Sequence, residues 1–189
     1  MLTLTPRGEL RKSPFVTPRL ALCPVDLPDA PELWDAVDAS RASLSPWLPW
    51  VPFQTDVQSS ARYAEMSASD WDFGRAVRFA VRDRKSRSFL GIVSLENVQH
   101  LHLSADLGYW LRQDARGRGL MTEAAQGAVE FAFRHMGAHR VRVAASTENH
   151  RSLGVIRRLG FRFEGISRHA ELIDGRWLDH AVFAKLSTD

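Results

Sequence analysis

The sequence predicts a mixed α/β domain built around one sheet, and three observations lead there. Short runs of branched and aromatic residues recur as strand candidates, apolar patterns of helical period separate several of them, and glycine closes the helical patterns at Gly74, Gly137 and Gly160. At 189 residues, 44% of them hydrophobic, the chain can bury a substantial core and lies outside the composition of disordered chains. A single domain is the expectation.

In chain order, residues 1–17 read as a loosely attached arm and Arg19–Pro24 as a first strand. Asp26–Ala39 reads as a helix, with Asp26 or Asp29 as cap and Leu33, Trp34 and Val37 as its apolar set. SPWLPWVPF, residues 45–53, holds three prolines and cannot be regular helix or central strand. A second helix spans Asp56–Phe73. Val77–Arg82 and Phe89–Leu95 form a hairpin about the polar turn RDRKSRS, and Ser104–Leu111 is the next strand. A glycine loop leads into a helix ending at Gly137, then come a strand at Arg140–Ala145, a short helix at Asn149–Leu159, and two strands near Phe161–Arg168 and Trp177–Leu186.

Composition narrows the function classes. The formal charge is +3 and the pI about 9.5, with arginine far outnumbering lysine, a mild preference for anionic ligands. There is no zinc-finger spacing, no aromatic ribonucleoprotein motif and no basic block, so a nucleic-acid partner is not expected. No apolar run approaches a membrane span, and the first residues lack the apolar stretch of a signal peptide, which makes the cytoplasm the expected location. The single cysteine, Cys23, excludes an internal disulfide and a cysteine-rich metal site; in LALCPV it reads as a structural thiol. No metal is expected, because no histidine pair has ligand spacing with an acidic partner.

The stretch DARGRGLMTEA, residues 114–124, sets Gly117 and Gly119 beside Arg116 and Arg118 at the start of a helix. Bare amides at a helix start suit phosphate, glycine lets an anion approach the backbone, and arginine forks can meet its oxygens. A plain tight turn fits the same residues. Leu120 and Met121 stand where a nucleotide P-loop needs lysine and serine or threonine, and Thr122 stands where a dinucleotide fingerprint needs its third glycine.

LGYWLRQDARGRGLMTEA (107–124), ENHRSLGVIRRLGFRFEGISR (148–168), HAELIDGRWLDHAVFAKL (169–186) and SLSPWLPW (43–50) resemble, in order and spacing, the GNAT N-acetyltransferases. Asp114 in the leading loop position departs from the superfamily pattern and is similar to the RimJ and RimL branch, which acetylates ribosomal-protein N-termini. The resemblance covers nearly everything after residue 18. It implies the GNAT fold, a mixed and mostly antiparallel sheet flanked by helices, and acetyl-CoA as donor.

What the resemblance implies for residues is specific. Pyrophosphate would sit on the amides from Arg116 to Met121, including Gly117, Arg118, Gly119 and Leu120. The pantetheine arm would lie where the strand at 107–111 splays from that at 140–145, touching Leu111 and Asn149, although Asn149 is equally a helix cap. Ile156 stands where many relatives carry a tyrosine acid. Ser152 is then the implied partner of the leaving thiolate, and Glu171 the implied base, each also readable as a plain structural or surface residue. Trp47 and Trp50 either wall the amine site or anchor their loop. The favoured acceptor is a protein N-terminus, with a small amine as the alternative and a non-catalytic acyl-CoA sensor as a reading from another class; a homodimer stays open.

Overall fold

The computed structural model describes residues 1–189 and contains one eight-stranded sheet. Its strands are β1 (Phe15–Val16), β2 (Leu20–Pro24), β3 (Val77–Asp83), β4 (Phe89–Gln99), β5 (Ser104–Leu111), β6 (Arg140–Ser146), β7 (Arg162–Ile173) and β8 (Arg176–Leu186). Their spatial order is β1-β2-β3-β4-β5-β6-β8-β7. All neighbours are antiparallel except β5 and β6. The helices are α1 (Arg7–Lys12), α2 (Ala30–Asp38), α3 (Arg41–Leu44), α4 (Val57–Asp72), α5 (Leu120–Arg134) and α6 (His150–Arg158).

Two cores lie on the two faces of the sheet, because strand side chains alternate. Odd-numbered Phe79, Val93, Leu107 and Val141 join Ala128, Phe131 and Ala132 of α5 on one face. Even-numbered Ala80 and Ile92 join Leu33 and Val37 of α2 and Ala64 of α4 on the other. Local signals set the helix ends: Asp56 accepts from the Ser59 amide at 2.7 Å at the start of α4, and Asn149 accepts from the Ser152 amide at 3.1 Å at the start of α6.

The arm at 1–17 differs from its expectation. Leu2 and Leu10 are buried in the larger core, the Thr3 amide donates to the Met136 carbonyl at 3.0 Å, and the Trp71 indole donates to the Thr5 carbonyl at 3.0 Å. Arg7 adds a two-pronged pair with Asp72, both contacts at 3.0 Å. The arm is therefore fastened by partners distant in sequence.

The feature that makes a site is the gap between β5 and β6. These parallel strands pair only over Ser104–Asp106 and Arg140–Arg142, then diverge. The Arg112 amide donates to the Leu90 carbonyl at 2.9 Å, so alternation along the antiparallel ladder turns the backbone groups of Tyr109 and Leu111 away from β4. They face the gap.

Candidate active site

A cleft of about 950 Å³ opens at this divergence. Its walls come from β5, the loop into α5, the first turns of α5 and α6, and the segment around Trp47. Of the residues singled out from sequence, Leu111, Arg116, Gly117, Gly119, Leu120, Met121, Asn149, Ser152 and Trp47 all line it, whereas Arg118, Trp50 and Glu171 do not.

The loop into α5 is built for bare amides. Gly117 and Gly119 take φ of +78° and +74°, the left-handed region that a β-branched residue resists. A Cβ at Gly117 would meet nothing within 4 Å, so the glycine serves backbone conformation there, and the space stays open. No side chain caps α5. The Arg116 amide, expected to meet the ligand, donates instead to the Gln113 carbonyl at 3.3 Å, and the next amide with an internal acceptor is that of Glu123, which donates to the Gly119 carbonyl at 3.1 Å. The amides from Gly117 to Thr122 are left for a ligand.

The arginines are used differently from the sequence expectation. Both Nε and Nη2 of Arg116 donate to the Leu111 carbonyl, at 3.1 and 2.9 Å, and Arg118 donates to the Asp114 carbonyl at 2.9 Å. Their forks brace the loop by donating to these backbone carbonyls. Arg116 still supplies charge: burial, and then the neighbouring Arg151, hold its guanidinium below its ordinary pKa. Arg151 and Arg158 also line the cleft and no Asp or Glu does, so the field inside favours an anion.

A clamp outside the cleft holds the same loop. Glu123 accepts from the Thr17 hydroxyl at 2.6 Å, the Arg19 amide at 2.7 Å and Arg19 Nε at 2.6 Å, while Arg19 Nη1 donates to the Arg118 carbonyl at 2.9 Å. Burial raises the Glu123 pKa, but these donors outweigh it and the net shift is downward. A depressed carboxylate pKa stabilises the fold above the unfolded value of about 4.3, and that stability fades as pH falls through the folded value. Glu123→Gln should therefore cost about 2 kcal/mol at pH 7 and melt roughly 4–8 °C lower. Melts from pH 7 to 3 should show the gap closing below about pH 4; a gap constant with pH would discard this account.

Ser152 sits in the first turn of α6, where the Asn149 cap fixes its amide. Its Oγ lies 2.8 Å from the hydroxyl of Tyr109, a cleft residue that sequence reasoning passed over although it stands inside LGYW. Ile156, where a tyrosine acid is common in the resembled family, is fully buried. Glu171 lies on β7 beside a shift in the β7–β8 register, and its carboxylate stands 3.3 Å from Nε2 of His180, which pairs across the sheet with Ser146 at the end of β6. His180 is a second residue missed from sequence.

The two tryptophans divide. Trp47 faces the cleft, whereas Trp50 packs its ring 5.9 Å from Trp110 against the smaller core. Arg41 ties their segment down by donating to the carbonyls of Val51 at 2.9 Å and Gln54 at 2.6 Å. Trp50→Ala should lower stability by up to about 3 kcal/mol, read as Tm. Trp47→Ala should instead raise the acceptor KM with little change in Tm; equal Tm losses in both variants would assign the whole segment to anchoring.

Comparison with known proteins gives this geometry a family. Residues 19–162 match the family described as the acetyltransferase (GNAT) domain. The chain belongs to the GNAT acetyltransferases. Among curated GNAT relatives, it is 34% identical over 128 residues to the probable N-acetyltransferase YjcK of Bacillus subtilis, covering 67% of this chain and 68% of that one. It is also 34% identical over 117 residues to the [ribosomal protein uS5]-alanine N-acetyltransferase of Escherichia coli, covering 61% and 60%; the match thus spans about three fifths of that relative. Among solved GNAT structures, Mycobacterium smegmatis RimJ in complex with CoA-disulfide superposes with a TM-score of 0.84 at 27% identity, over 89% of this chain and 82% of that one. RimL, a ribosomal L7/L12 α-N-protein acetyltransferase in complex with coenzyme A, superposes with a TM-score of 0.87 at 23% identity, over 92% and 98%, which speaks for the fold.

Proposed function

We propose that the protein transfers acetyl from acetyl-CoA to a primary amine, with a protein N-terminal α-amine as the favoured acceptor. The observation that carries the proposal is the convergence on one cleft of the loop at Gly117–Thr122 with its free amides, the unpaired backbone of Tyr109, the Leu111 amide, and the hydroxyl of Ser152. Pyrophosphate takes the amides, and the pantetheine arm completes the edge that β5 leaves open. In this reading the Leu111 N–H, which faces the gap, meets the thioester oxygen as it gains charge on attack, the place where a fixed dipole lowers the barrier.

Chemistry then proceeds in a ternary complex. The amine lone pair attacks the thioester carbon, the C–S bond breaks with its electrons passing to sulfur, and Ser152 Oγ–H meets the thiolate. An α-amine has a pKa of about 8, so one modest base frees it near neutral pH; Glu171 takes that role. The N-terminal acceptor rests on the similarity to the uS5-alanine enzyme and to RimJ.

Purified protein assayed with acetyl-CoA against N-terminal peptides, spermidine and free amino acids tests this directly. Turnover on peptides with a free α-amine, abolished by prior N-terminal blocking, is the expected result. Turnover confined to small amines would move the protein to the alternative, and binding of acetyl-CoA without transfer to any acceptor would make it a sensor.

A further inference from the structure

The tyrosine inside the cleft has a geometry that the acetyl-transfer reading leaves unused. Tyr109 rises from β5 on the α5 side of the sheet, packed against the larger core, and its hydroxyl reaches Ser152 across 43 positions of sequence. There it meets two atoms of one residue, Ser152 Oγ at 2.8 Å and the Ser152 carbonyl at 3.3 Å. A phenol has one hydrogen and a serine hydroxyl has one, so the pair has two arrangements. With the phenol hydrogen on the Ser152 carbonyl, Ser152 must donate to the phenol oxygen, and its hydrogen is turned from the cleft. With the phenol hydrogen on Oγ, the serine hydrogen is free to point at a sulfur atom.

We propose that Tyr109 is a positioning residue for thiolate departure: it donates to Ser152 Oγ and thereby directs the serine hydrogen at the leaving sulfur. This rests on the reading of Ser152 as the thiolate's partner. The 2.8 Å contact is a hydrogen bond in either arrangement; the thiolate selects the second, because a hydroxyl gains more by donating to an anion than to a neutral phenol oxygen, and the phenol hydrogen then has Oγ within reach and polarises the hydroxyl that donates onward. When the C–S bond breaks and sulfur takes the electron pair, the chain Tyr109 O–H, Ser152 O–H, thiolate is aligned with every hydrogen pointing toward the new charge. No proton has to leave Tyr109. Burial pushes its phenol up to about 12, opposed by the hydrogen bond to Ser152 and then by the charge of Arg158, so it stays protonated wherever the enzyme works. The charged and titratable groups facing the cleft around this pair are Arg116 from the loop and His150, Arg151 and Arg158 from α6. The arginines favour a thiolate in general, but none of the four is hydrogen-bonded to the Ser152 hydroxyl, so direction comes from Tyr109.

The test reads the sulfur itself and needs no acceptor. CoA is bound to the protein and its thiol titrated by the ultraviolet absorption of the thiolate, in wild type, Tyr109→Phe, Ser152→Ala and the double variant. A hydrogen bond to an anion is worth enough that its loss should raise the bound thiol's pKa by about one unit. The expected result is a rise of that size in Ser152→Ala, the same rise in the double variant, and a smaller one in Tyr109→Phe, which keeps the serine hydroxyl but removes the donor that directs and polarises it. A rise in Ser152→Ala with none in Tyr109→Phe would overturn the role of Tyr109 and keep that of Ser152. No rise in any variant would overturn both. Phenylalanine fits the same apolar surroundings, and a Tyr109→Phe protein that melts with wild type and binds CoA with wild-type affinity shows that the shift is not a packing effect.

Discussion

Gly91→Ala should yield little soluble protein, and what folds should melt far below wild type. Gly91 sits on β4 directly opposite Leu111, with φ of +152°, and a Cβ there would lie 2.2 Å from the Trp110 carbonyl oxygen and 2.9 Å from the Leu111 Cα. Those are backbone atoms of the paired strand, so no side-chain rotation relieves them. The ladder would have to open at the end of β5 that lines the cleft, where Trp110 packs against Phe89 and Trp50. Ordinary overpacking costs about 1–3 kcal/mol; a backbone collision belongs to the rarer losses above about 4 kcal/mol, out of a total stability of roughly 5–15 kcal/mol. Gly154→Ala is the control. It lies inside α6, its Cβ would first meet the far end of Arg158 at 3.4 Å, and alanine favours helix over glycine by about 1 kcal/mol. Thermal melts should therefore place Gly154→Ala at or above wild type and Gly91→Ala far below; a Gly91→Ala protein melting within a few degrees of wild type would refute the argument.

Local chemistry made most of the fold legible. β5 runs over Ser104–Leu111, as its aromatic and branched residues predict, and α4 starts after Asp56 and ends before Gly74 where cap and glycine place it. β4 runs on to Gln99, past the apolar segment that ends at Leu95, because Glu96 pairs with Arg78 at 2.8 and 2.7 Å and so tolerates a half-buried strand position. That partner stands 18 residues away, beyond any window of periodicity. The arm failed as an expectation for the same reason, its holdings on Met136, Trp71 and Asp72 being invisible from residues 1–17 alone.

The candidate site divides along that line too. Residue types at fixed spacing pointed to the glycine loop, and the family resemblance pointed to Asn149 and Ser152, all of which line one cleft. The direction of each side chain did not follow from spacing. The forks of Arg116 and Arg118 turn to carbonyls of their own loop, and Trp47 and Trp50, three residues apart, face different surroundings. Tyr109 had a sequence signal, a polar-tipped aromatic in a strand whose neighbours are apolar, because a buried phenol requires a partner. The identity of that partner is tertiary information.

Glu171→Gln should slow acetyl transfer to a peptide α-amine by about 10² to 10⁴ at neutral pH, the usual cost of losing a general base. Acetyl-CoA affinity should survive, since Glu171 is no part of the cleft wall proposed to hold the cofactor. The position of the carboxylate argues for the acceptor side. It belongs to β7, meets His180 on β8 at 3.3 Å, and His180 lies across from Ser146, three residues before the Asn149 cap of the helix that carries Ser152. The side chain is partly exposed, which lets it exchange a proton with water after taking one from the amine. Two timings are separable by pH. If Glu171 deprotonates the ammonium before attack, the deficit of Glu171→Gln should shrink as pH rises past the amine pKa of about 8, where free amine is present without help. If it removes the second proton after attack, the deficit should persist at high pH. His180→Gln should lower kcat in the same sense by a smaller factor, because it orients the carboxylate without touching the amine. Wild-type kcat in Glu171→Gln across pH 6 to 9 would take Glu171 out of the reaction and leave an ordered water as the base.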